Sequence, residues 1–399
     1  MTTTAEQMRA WRGPAVLTYG FRPFFLGASL WAVVSMVLWI LLLSGAVELP
    51  TRFDPVSWHA HEFLFGYLGA VVAGFLLTAV PNWTGRLPVV GWPLGLLCLL
   101  WLIGRVAVAV SIYLPVWLVA LADLSLPLAL IGFLTREIVR GKNWRNLIVL
   151  GMLVAFAIAN GIFHWQAAGG GFAGGESGLR LGLAAGIMMI AVIGGRIVPS
   201  FTRNWLVKRR DPALPAPPMQ RFDRVALLIL LVALLLWVVL PEQPVSGVAL
   251  ILAGVAHAIR LVRWRGYRTF AEPLLWVLHA GYAFLPLGAV ILGMAAFWPD
   301  LLGQVPAQHV WMAGAIGLMT LAVMTRATLG HTGRALTAGK GTLATYICLI
   351  GAVLARLLAG FLPAAAGSLY MISGLCWLAA FGGFAILYGP LLLRARTEG

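Results

Sequence analysis

The chain has 399 residues, of which 61% are hydrophobic and 10% are charged. Apolar runs long enough to cross a bilayer recur along it, which excludes a soluble globular protein and predicts an all-α polytopic membrane protein. The formal net charge of +15 does not indicate a nucleic-acid partner, because the Lys and Arg residues collect in alternate connections, as the positive-inside rule requires.

The apolar runs predict twelve transmembrane helices in a single transmembrane domain. Residues 1–23 have arginines among apolar side chains and are expected to lie on the cytoplasmic side, at the membrane interface. A twelve-helix bundle over residues 24–391 and a cytoplasmic tail over 392–399 follow. The helices are predicted near residues 24–43, 60–80, 92–110, 115–134, 147–167, 180–198, 222–240, 245–262, 273–297, 309–329, 343–362 and 366–391.

The three cysteines indicate neither a metal motif nor a disulfide. Cys98, Cys348 and Cys376 all lie in apolar runs, and no two of them are closely spaced. Close pairs of cysteines are the usual mark of thiolate metal sites, so we expect these three to be core thiols.

The second and tenth helices resemble each other in sequence. Residues 61–86 align without gaps on residues 309–334. Each stretch begins with a histidine, and the two also match at two glycines, one alanine and the closing Thr-Gly-Arg. The sixth helix carries a related motif, since Val80–Thr84 resembles Val198–Thr202. These matches predict three repeats of four helices, with chance similarity of glycine-rich membrane helices as the alternative.

Four histidines fall at the outer ends of apolar helices and are predicted to bind metal: His59, His61, His164 and His309. Imidazole is the commonest metal ligand in proteins, and an ionisable group inside a membrane is costly unless it has a function. On a regular helix His59 and His61 point about 200° apart. Either the helix start is irregular and they share a metal, or they serve different partners. Glu62 shares a helix face with His59 and is predicted to orient it.

Two further histidines lie towards the cytoplasmic side and are predicted to form a second site. His279 lies inside the ninth helix among small residues that leave room for a flat macrocycle, so we expect it to be an axial heme ligand. His331 ends the tenth helix, about 33 Å from His309 by helical rise, so these two histidines belong to different sites. His257 matches no motif and is assigned a structural role.

Four arginines are predicted to meet heme propionates or buried carboxylates such as Asp123. An unpaired charge within a membrane helix is costly and should find an anion, which applies most strongly to the residues within the third and eleventh helices. The four are Arg22, Arg105, Arg196 and Arg356.

Several motifs together resemble those of NnrS proteins: Trp58–Glu62, His279–Tyr282 and Ala322–Arg334, with Tyr19–Phe25 and Gly195–Asn204. The resemblance spans nearly the whole chain. It implies a bacterial inner-membrane protein that carries heme, of b type, and copper, and that is associated with denitrification and with protection from nitrosative stress. The distribution of basic residues predicts that both termini are cytoplasmic.

The resemblance and the histidines together favour an oxidoreductase that reduces nitric oxide to nitrous oxide at a heme with an open coordination position. The sequence has no c-type heme attachment motif, so a quinol or a redox protein would supply the electrons. Nitric oxide is apolar and would reach a buried site through the membrane lipids. The alternative is a heme or copper transporter, or a nitric oxide sensor, without turnover. No catalytic residue is assigned.

Overall fold

The computed structural model describes residue 6, residues 10–300 and residues 303–395. Every regular element among these residues is helical. Twelve helices are long and apolar enough to cross a membrane, which confirms the predicted multi-pass, all-α architecture. In chain order they are α1 Phe21–Leu43, α2 Pro55–Thr84, α3 Trp92–Ala109, α4 Val116–Arg140, α5 Trp144–Ala168, α6 Ser177–Lys208, α7 Arg221–Val239, α8 Pro244–Arg268, α9 Pro273–Ala295, α10 Gln304–His331, α11 Lys340–Phe361 and α12 Pro363–Leu393.

The second helix is longer than the apolar run that predicts it. It begins at Pro55, and the carboxylate of the preceding Asp54 accepts hydrogen bonds from the main-chain N–H groups of Val56 and Ser57. A capping carboxylate and a proline in the first turn both favour a helix start at this point. The helix ends at Gly85, whose φ of 69° suits a glycine. His59 and His61 therefore lie on a regular, capped first stretch of helix.

Three of the twelve helices contain a π-helical segment, in which the main chain is wound more widely than in an α-helix. In each of these three, 72% of the most apolar window is buried, against 61% or less in the others. They are therefore the most buried spans of the described chain. The segments are Glu62–Leu68 in α2, Ile190–Gly194 in α6 and Val310–Leu318 in α10.

The π segments of α2 and α10 begin at aligned positions, directly after His61 and His309. In α6 the segment lies later, just before the motif that resembles the end of α2. The aligned start is a structural feature shared by the second and tenth helices. The three four-helix repeats stay a prediction.

The chain divides into two compact units. The first unit comprises the described residues up to Gly182, with Ala327–Arg334 and the described residues from Phe384 onward. The second unit comprises Leu183–Arg326 and Ala335–Gly383. The predicted single domain over the whole chain stays a prediction. Much of the expected interfacial segment is described, whereas residues 1–5, 7–9 and 396–399 lie outside the described residues.

Packing within each unit follows chain order. In the first unit α2 packs against α1, α3 and α4, while α4 packs against both α3 and α5. In the second unit α8 packs against α7 and α9, and α9 also contacts α6 and α10. Cys98, Cys348 and Cys376 are free thiols and are half-buried, and their predicted place in the core stays a prediction. The arrangement of the first unit brings side chains of α2, α3, α4 and α5 together in its interior.

Candidate metal centre

A buried polar cluster lies between α2, α3, α4 and α5 of the first unit. Each of its members is 5% exposed or less. Polar groups at such depth in an apolar bundle are costly unless they are paired, and they commonly mark a functional site. We call this group the His61 cluster, and its members are His61, Glu62, Arg105, Asp123, Asn160 and His164.

Two imidazoles converge on one carboxylate oxygen in the cluster. His61 Nε2 lies 3.1 Å from Asp123 Oδ2, and His164 Nε2 lies 3.0 Å from the same oxygen. Asn160 Nδ2 donates to this oxygen at 2.7 Å, while Asn160 Oδ1 lies 3.0 Å from His61 Nε2. On the other side of the ring, His61 Nδ1 lies 3.0 Å from Glu62 Oε1.

The partners of His61 in this cluster are all oxygen acceptors. A neutral imidazole carries one N–H group, so it satisfies an acceptor at only one of its two nitrogens. When Nδ1–H donates to Glu62, the lone pair of Nε2 faces the oxygens of Asp123 and Asn160. A cation at this point would remove the repulsion. A carboxylate that orients a histidine through its far nitrogen is the usual arrangement around a protein-bound metal.

The charges of the cluster also leave room for a cation. Arg105 NH1 donates to both oxygens of Glu62 at 2.8 Å, and its NH2 group donates to Asp123 Oδ1. One guanidinium thus faces two carboxylates, which leaves one negative charge among fully buried groups. Buried charge is costly unless it is balanced, so a cation would stabilise this group.

The donor atoms of His61, Asp123 and His164 lie within 4.8 Å of one another. Within the described ranges this is the one group of at least three His, Cys, Asp or Glu residues close enough to share an ion. Two imidazole nitrogens and one carboxylate oxygen suit copper, iron, zinc or manganese. The residues present therefore fit a single metal ion.

α2 and α3 come into close contact beside the cluster at Gly66, in the π segment of α2. Gly66 lies inside the segment, and its carbonyl accepts a hydrogen bond of 3.0 Å from Trp101 Nε1 on α3. A Cβ at this glycine would lie 2.6 Å from Arg105 NH1 and 2.8 Å from Glu62 Oε2. The absence of a side chain at Gly66 is what permits the ion pair.

We expect Gly66→Ala to lower the free energy of unfolding by about 1–3 kcal/mol, because the added methyl group must displace part of a buried ion pair. The measurement is unfolding of the detergent-purified protein. Gly151→Ala is the matched control, since Gly151 is also helical and a Cβ there meets no atom within 4 Å. Equal stability of the two variants would show that Gly66 does not hold the helices together.

His59 lies apart from the cluster, although it is only two residues from His61. Its ring stacks on Trp39 with the centroids 4.2 Å apart, and it lies 4.6 Å from Phe63. On this regular helical stretch the two histidines face different partners, which is one of the two predicted alternatives. Glu62 contacts His61. The prediction that Glu62 orients His59 stays a prediction. The π turn that begins at Glu62 was not visible in the sequence.

His309, aligned with His61 in sequence, belongs to the second unit. Its Nδ1 donates to the main-chain carbonyl of Val305 at 2.8 Å, one turn earlier in α10. Arg356, also in the second unit, lies 4.8 Å over the ring of Tyr370. His309 is not part of the donor set formed by His61 and His164. Metal binding by His309 and propionate binding by Arg356 stay predictions.

His279 is buried in the second unit with both ring nitrogens enclosed. The Thr202 hydroxyl donates to the carbonyl of Val198 at 2.9 Å, so it accepts from His279 Nε2 at 2.8 Å. His279 Nδ1 then carries the lone pair and has no hydrogen-bond partner among the residues that the structure describes. It packs against Gly266, where a Cβ would lie only 2.6 Å from it. A planar macrocycle does not fit at either nitrogen in this packing.

The remaining predicted site residues have structural neighbours. His331 packs against Tyr19 and Phe21, with ring centroids 5.4 Å and 5.3 Å away. Arg196 is partly exposed, directly after the π segment of α6. Arg22 caps the end of α12, where its NH1 group donates to the carbonyls of Leu391, Leu392 and Arg394. Metal binding by His331 and propionate binding by Arg22 and Arg196 stay predictions.

A second buried network, not foreseen from the sequence, lies in the second unit. Arg260 donates to Asp223 at 2.7 Å and to the Tyr282 hydroxyl at 2.8 Å. The Tyr282 hydroxyl also lies 2.8 Å from His257 Nδ1, and His257 Nε2 lies 3.2 Å from the Ala226 carbonyl. Because a carbonyl only accepts, Nε2 carries the proton and Tyr282 donates to Nδ1. These contacts agree with the structural role expected for His257.

Two members of the His61 cluster receive no ligand role from the sequence. The sequence predicts Asp123 only as a carboxylate partner for a buried arginine, and it does not single out Asn160. Asn160 and His164 are four residues apart on α5 and so share one face. The available signal was the presence of an acid and an amide within otherwise apolar spans, which is costly without partners.

The comparisons with known proteins agree with the motifs of the sequence. The family described as NnrS protein matches residues 15–396. No curated protein matches the chain. The family match includes all six members of the His61 cluster as well as His279 and His331. Because it covers nearly the whole length, this multi-pass membrane protein belongs to the NnrS family.

Proposed function

We propose that the protein acts on nitric oxide in the bacterial inner membrane, at a metal ion held by the His61 cluster. The observation that carries the proposal is the buried donor set, in which the ligand atoms of His61, Asp123 and His164 lie within 4.8 Å of one another. The chain belongs to the NnrS family, and the resemblance to that family implies copper and nitric oxide. Family membership therefore supports copper as the metal.

The donor residues and their neighbours have distinct roles in this proposal. His61 Nε2, His164 Nε2 and Asp123 Oδ2 would bind the ion. Glu62 would hold His61 in the orientation that directs Nε2 inwards, and Arg105 would hold both carboxylates in place. A bound copper ion would supply a redox-active Lewis acid for a small ligand. The almost complete burial of all these groups keeps bulk water away from it.

Heme is implied by the resemblance, and His279 is its predicted ligand. The packing around both nitrogens of His279 does not fit a macrocycle, as described above. Heme binding by His279 stays a prediction, and no part of the proposed reaction depends on it. The proposal rests on the His61 cluster alone.

The proposed reaction converts two nitric oxide molecules, two electrons and two protons into nitrous oxide and water. The electrons would come from a quinol or a redox protein. The cluster contributes carboxylates and imidazoles linked by hydrogen bonds of about 3 Å, groups that hold and exchange protons. Burial of the site would exclude bulk water and so strengthen the electrostatic interactions within it.

The orientation of the chain follows from its basic residues. Most of the Lys and Arg residues lie in the amino terminus, in the carboxyl terminus and around the connections that follow α2, α4, α6, α8 and α10. By the positive-inside rule both termini would be cytoplasmic. His61, near the start of α2, would then lie in the outer half of the membrane, as would His164 near the end of α5.

A nitric oxide sensor is the second candidate function. Reduction to nitrous oxide joins two nitrogen atoms and needs two electrons, whereas the described residues offer one donor set. A single ion that binds nitric oxide without turnover would suffice for a sensor. The two functions predict different products from the same site.

The test is an anaerobic assay of the purified protein with dithionite and nitric oxide. We expect repeated formation of nitrous oxide by the wild-type chain and by His59→Phe, and none by His164→Ala, because His59 lies outside the donor set and His164 within it. A stable nitrosyl spectrum without nitrous oxide would establish the sensor instead. Equal activity of the wild type and His164→Ala would refute the site.

A further inference from the structure

A small cavity lies directly beside the His61 cluster in the first unit. It is lined by side chains of α2, α3, α4 and α5. Three members of the cluster, Arg105, Asp123 and Asn160, form its polar side. Asp123 also belongs to the donor set, so the cavity and the proposed metal position share a wall.

The chemistry of the walls defines the occupant. The other lining residues are apolar or aromatic, and Trp101 and Phe156 are among them. The carboxylate of Asp123 is already bonded to Arg105 and Asn160. The cavity therefore offers an occupant mainly apolar contacts. Its one free donor is the Arg105 Nε–H group, which is buried without a hydrogen-bond partner among the described residues. The cavity suits an uncharged, apolar molecule better than an ion or a polar metabolite.

The size of the cavity limits the occupant further. The free space admits about one or two molecules of the size of water, which is also the scale of a diatomic gas. A porphyrin or a quinone ring is far larger. Most of the lining residues are apolar, and apolar cavities in proteins stay dry and take up apolar gases such as xenon.

Two of the residues that line the cavity, Gly69 and Pro127, are partly exposed. Gly69 lies at the middle of α2, and Pro127 lies at the middle of α4. In a membrane the middle of a spanning helix is surrounded by acyl chains. These two residues therefore lie at the depth of the hydrocarbon interior of the bilayer, where apolar gases dissolve.

We propose that this cavity is a docking pocket that takes a diatomic apolar gas from the bilayer interior and holds it beside the His61 cluster. The proposal rests on the proposed function for the identity of the gas as nitric oxide. The binding of an apolar gas does not depend on the proposed function, because binding needs only the walls of the cavity. Larger or charged molecules are excluded by the size of the space and by its walls.

Gly69 gives a direct way to fill the pocket. A Cβ at this position would meet only a ring carbon of Phe156, at 4.0 Å, so a larger side chain extends into free space. Gly69→Leu should occupy the pocket, and the smaller Gly69→Ala should narrow it. Gly132→Leu is the matched control, because Gly132 lies on α4, is exposed, and has no atom within 4 Å of its added Cβ.

The probe is xenon, which binds without a metal, and binding is measured by ¹²⁹Xe nuclear magnetic resonance of the detergent-purified full chain. We expect xenon to bind to the wild type and to Gly132→Leu. Binding should weaken in Gly69→Ala and be lost in Gly69→Leu. Absence of xenon binding to the wild type, or equal binding to wild type and both Gly69 variants, would overturn the pocket.

A second readout separates this inference from the proposed function. Metal content should be the same in wild type, Gly69→Leu and Gly132→Leu, while the rate of nitric oxide association should fall only in Gly69→Leu. Xenon binding by a wild-type protein that holds no metal would leave the pocket standing and refute the metal site. A normal metal content with unchanged nitric oxide association in Gly69→Leu would refute the pocket and leave the metal site standing.

Discussion

Replacing His164 with alanine is expected to remove the metal ion from the protein. His164 supplies one of three donor atoms, and its Nε2 lies 3.0 Å from the carboxylate oxygen that also faces His61. The alanine variant would leave two donors, one of which, Asp123, is already bonded to Arg105 and Asn160. Structural sites usually need about four ligands and catalytic sites about three from the protein, so two will not hold the ion.

The measurement is the number of metal ions per chain after purification in detergent. His61→Ala and Asp123→Asn should also lose the ion. Two control variants, His59→Phe and His309→Gln, should keep the metal ion, because neither histidine contributes to the donor set. Loss of metal from His309→Gln with retention in His164→Ala would transfer the site to the second unit and refute the assignment.

Replacing Arg105 with leucine is expected to cause the largest loss of stability among the changes considered. Arg105 pairs with both Glu62 and Asp123, and the three side chains are 4% exposed or less. Removing it leaves two buried carboxylates without their counter-charge. Removing one partner of a buried ion pair typically costs about 3–5 kcal/mol.

The matched control for this change is Arg136→Leu. Arg136 forms an ion pair of 2.8 Å with Glu137, but 51% of its side chain is exposed. Glu137 is buried, but it keeps an ion pair with Arg86 when Arg136 is replaced, so the control should unfold close to the wild type. Comparison of unfolding midpoints in detergent checks the difference. Similar unfolding midpoints for Arg105→Leu and Arg136→Leu would mean that the buried ion pairs of Arg105 do not stabilise the cluster.

The number and order of the membrane helices could be predicted from hydropathy, because a span must be both long and apolar. The ends of α2 were less accessible, since Asp54 and Gly85 define them through main-chain geometry rather than apolarity. The π segments had no signal in the apolar pattern. The one in α2 contains Gly66, whose carbonyl accepts a hydrogen bond from Trp101 of α3, a contact between helices that no local sequence pattern encodes.

The candidate site was predictable only in part. His61 and His164 are conspicuous as histidines in apolar helices, and both belong to the donor set. His59 looks equivalent in the sequence, yet it faces Trp39 because two residues turn a helix by more than half a circle. Asp123 joins the donor set through the packing of α4 against α2 and α5, which no local pattern encodes.

The central claim is that two histidines and one aspartate bind a metal ion in the first unit. X-ray absorption spectroscopy of the purified protein, at the edge of the bound metal, tests it most directly. The proposed site predicts nitrogen and oxygen donors at about 2.0–2.2 Å, with the outer scattering of two imidazole rings. The loss of one ring from the spectrum, or of the whole ion, should follow His61→Ala. A sulfur shell, or the scattering pattern of a porphyrin alone, would contradict the site.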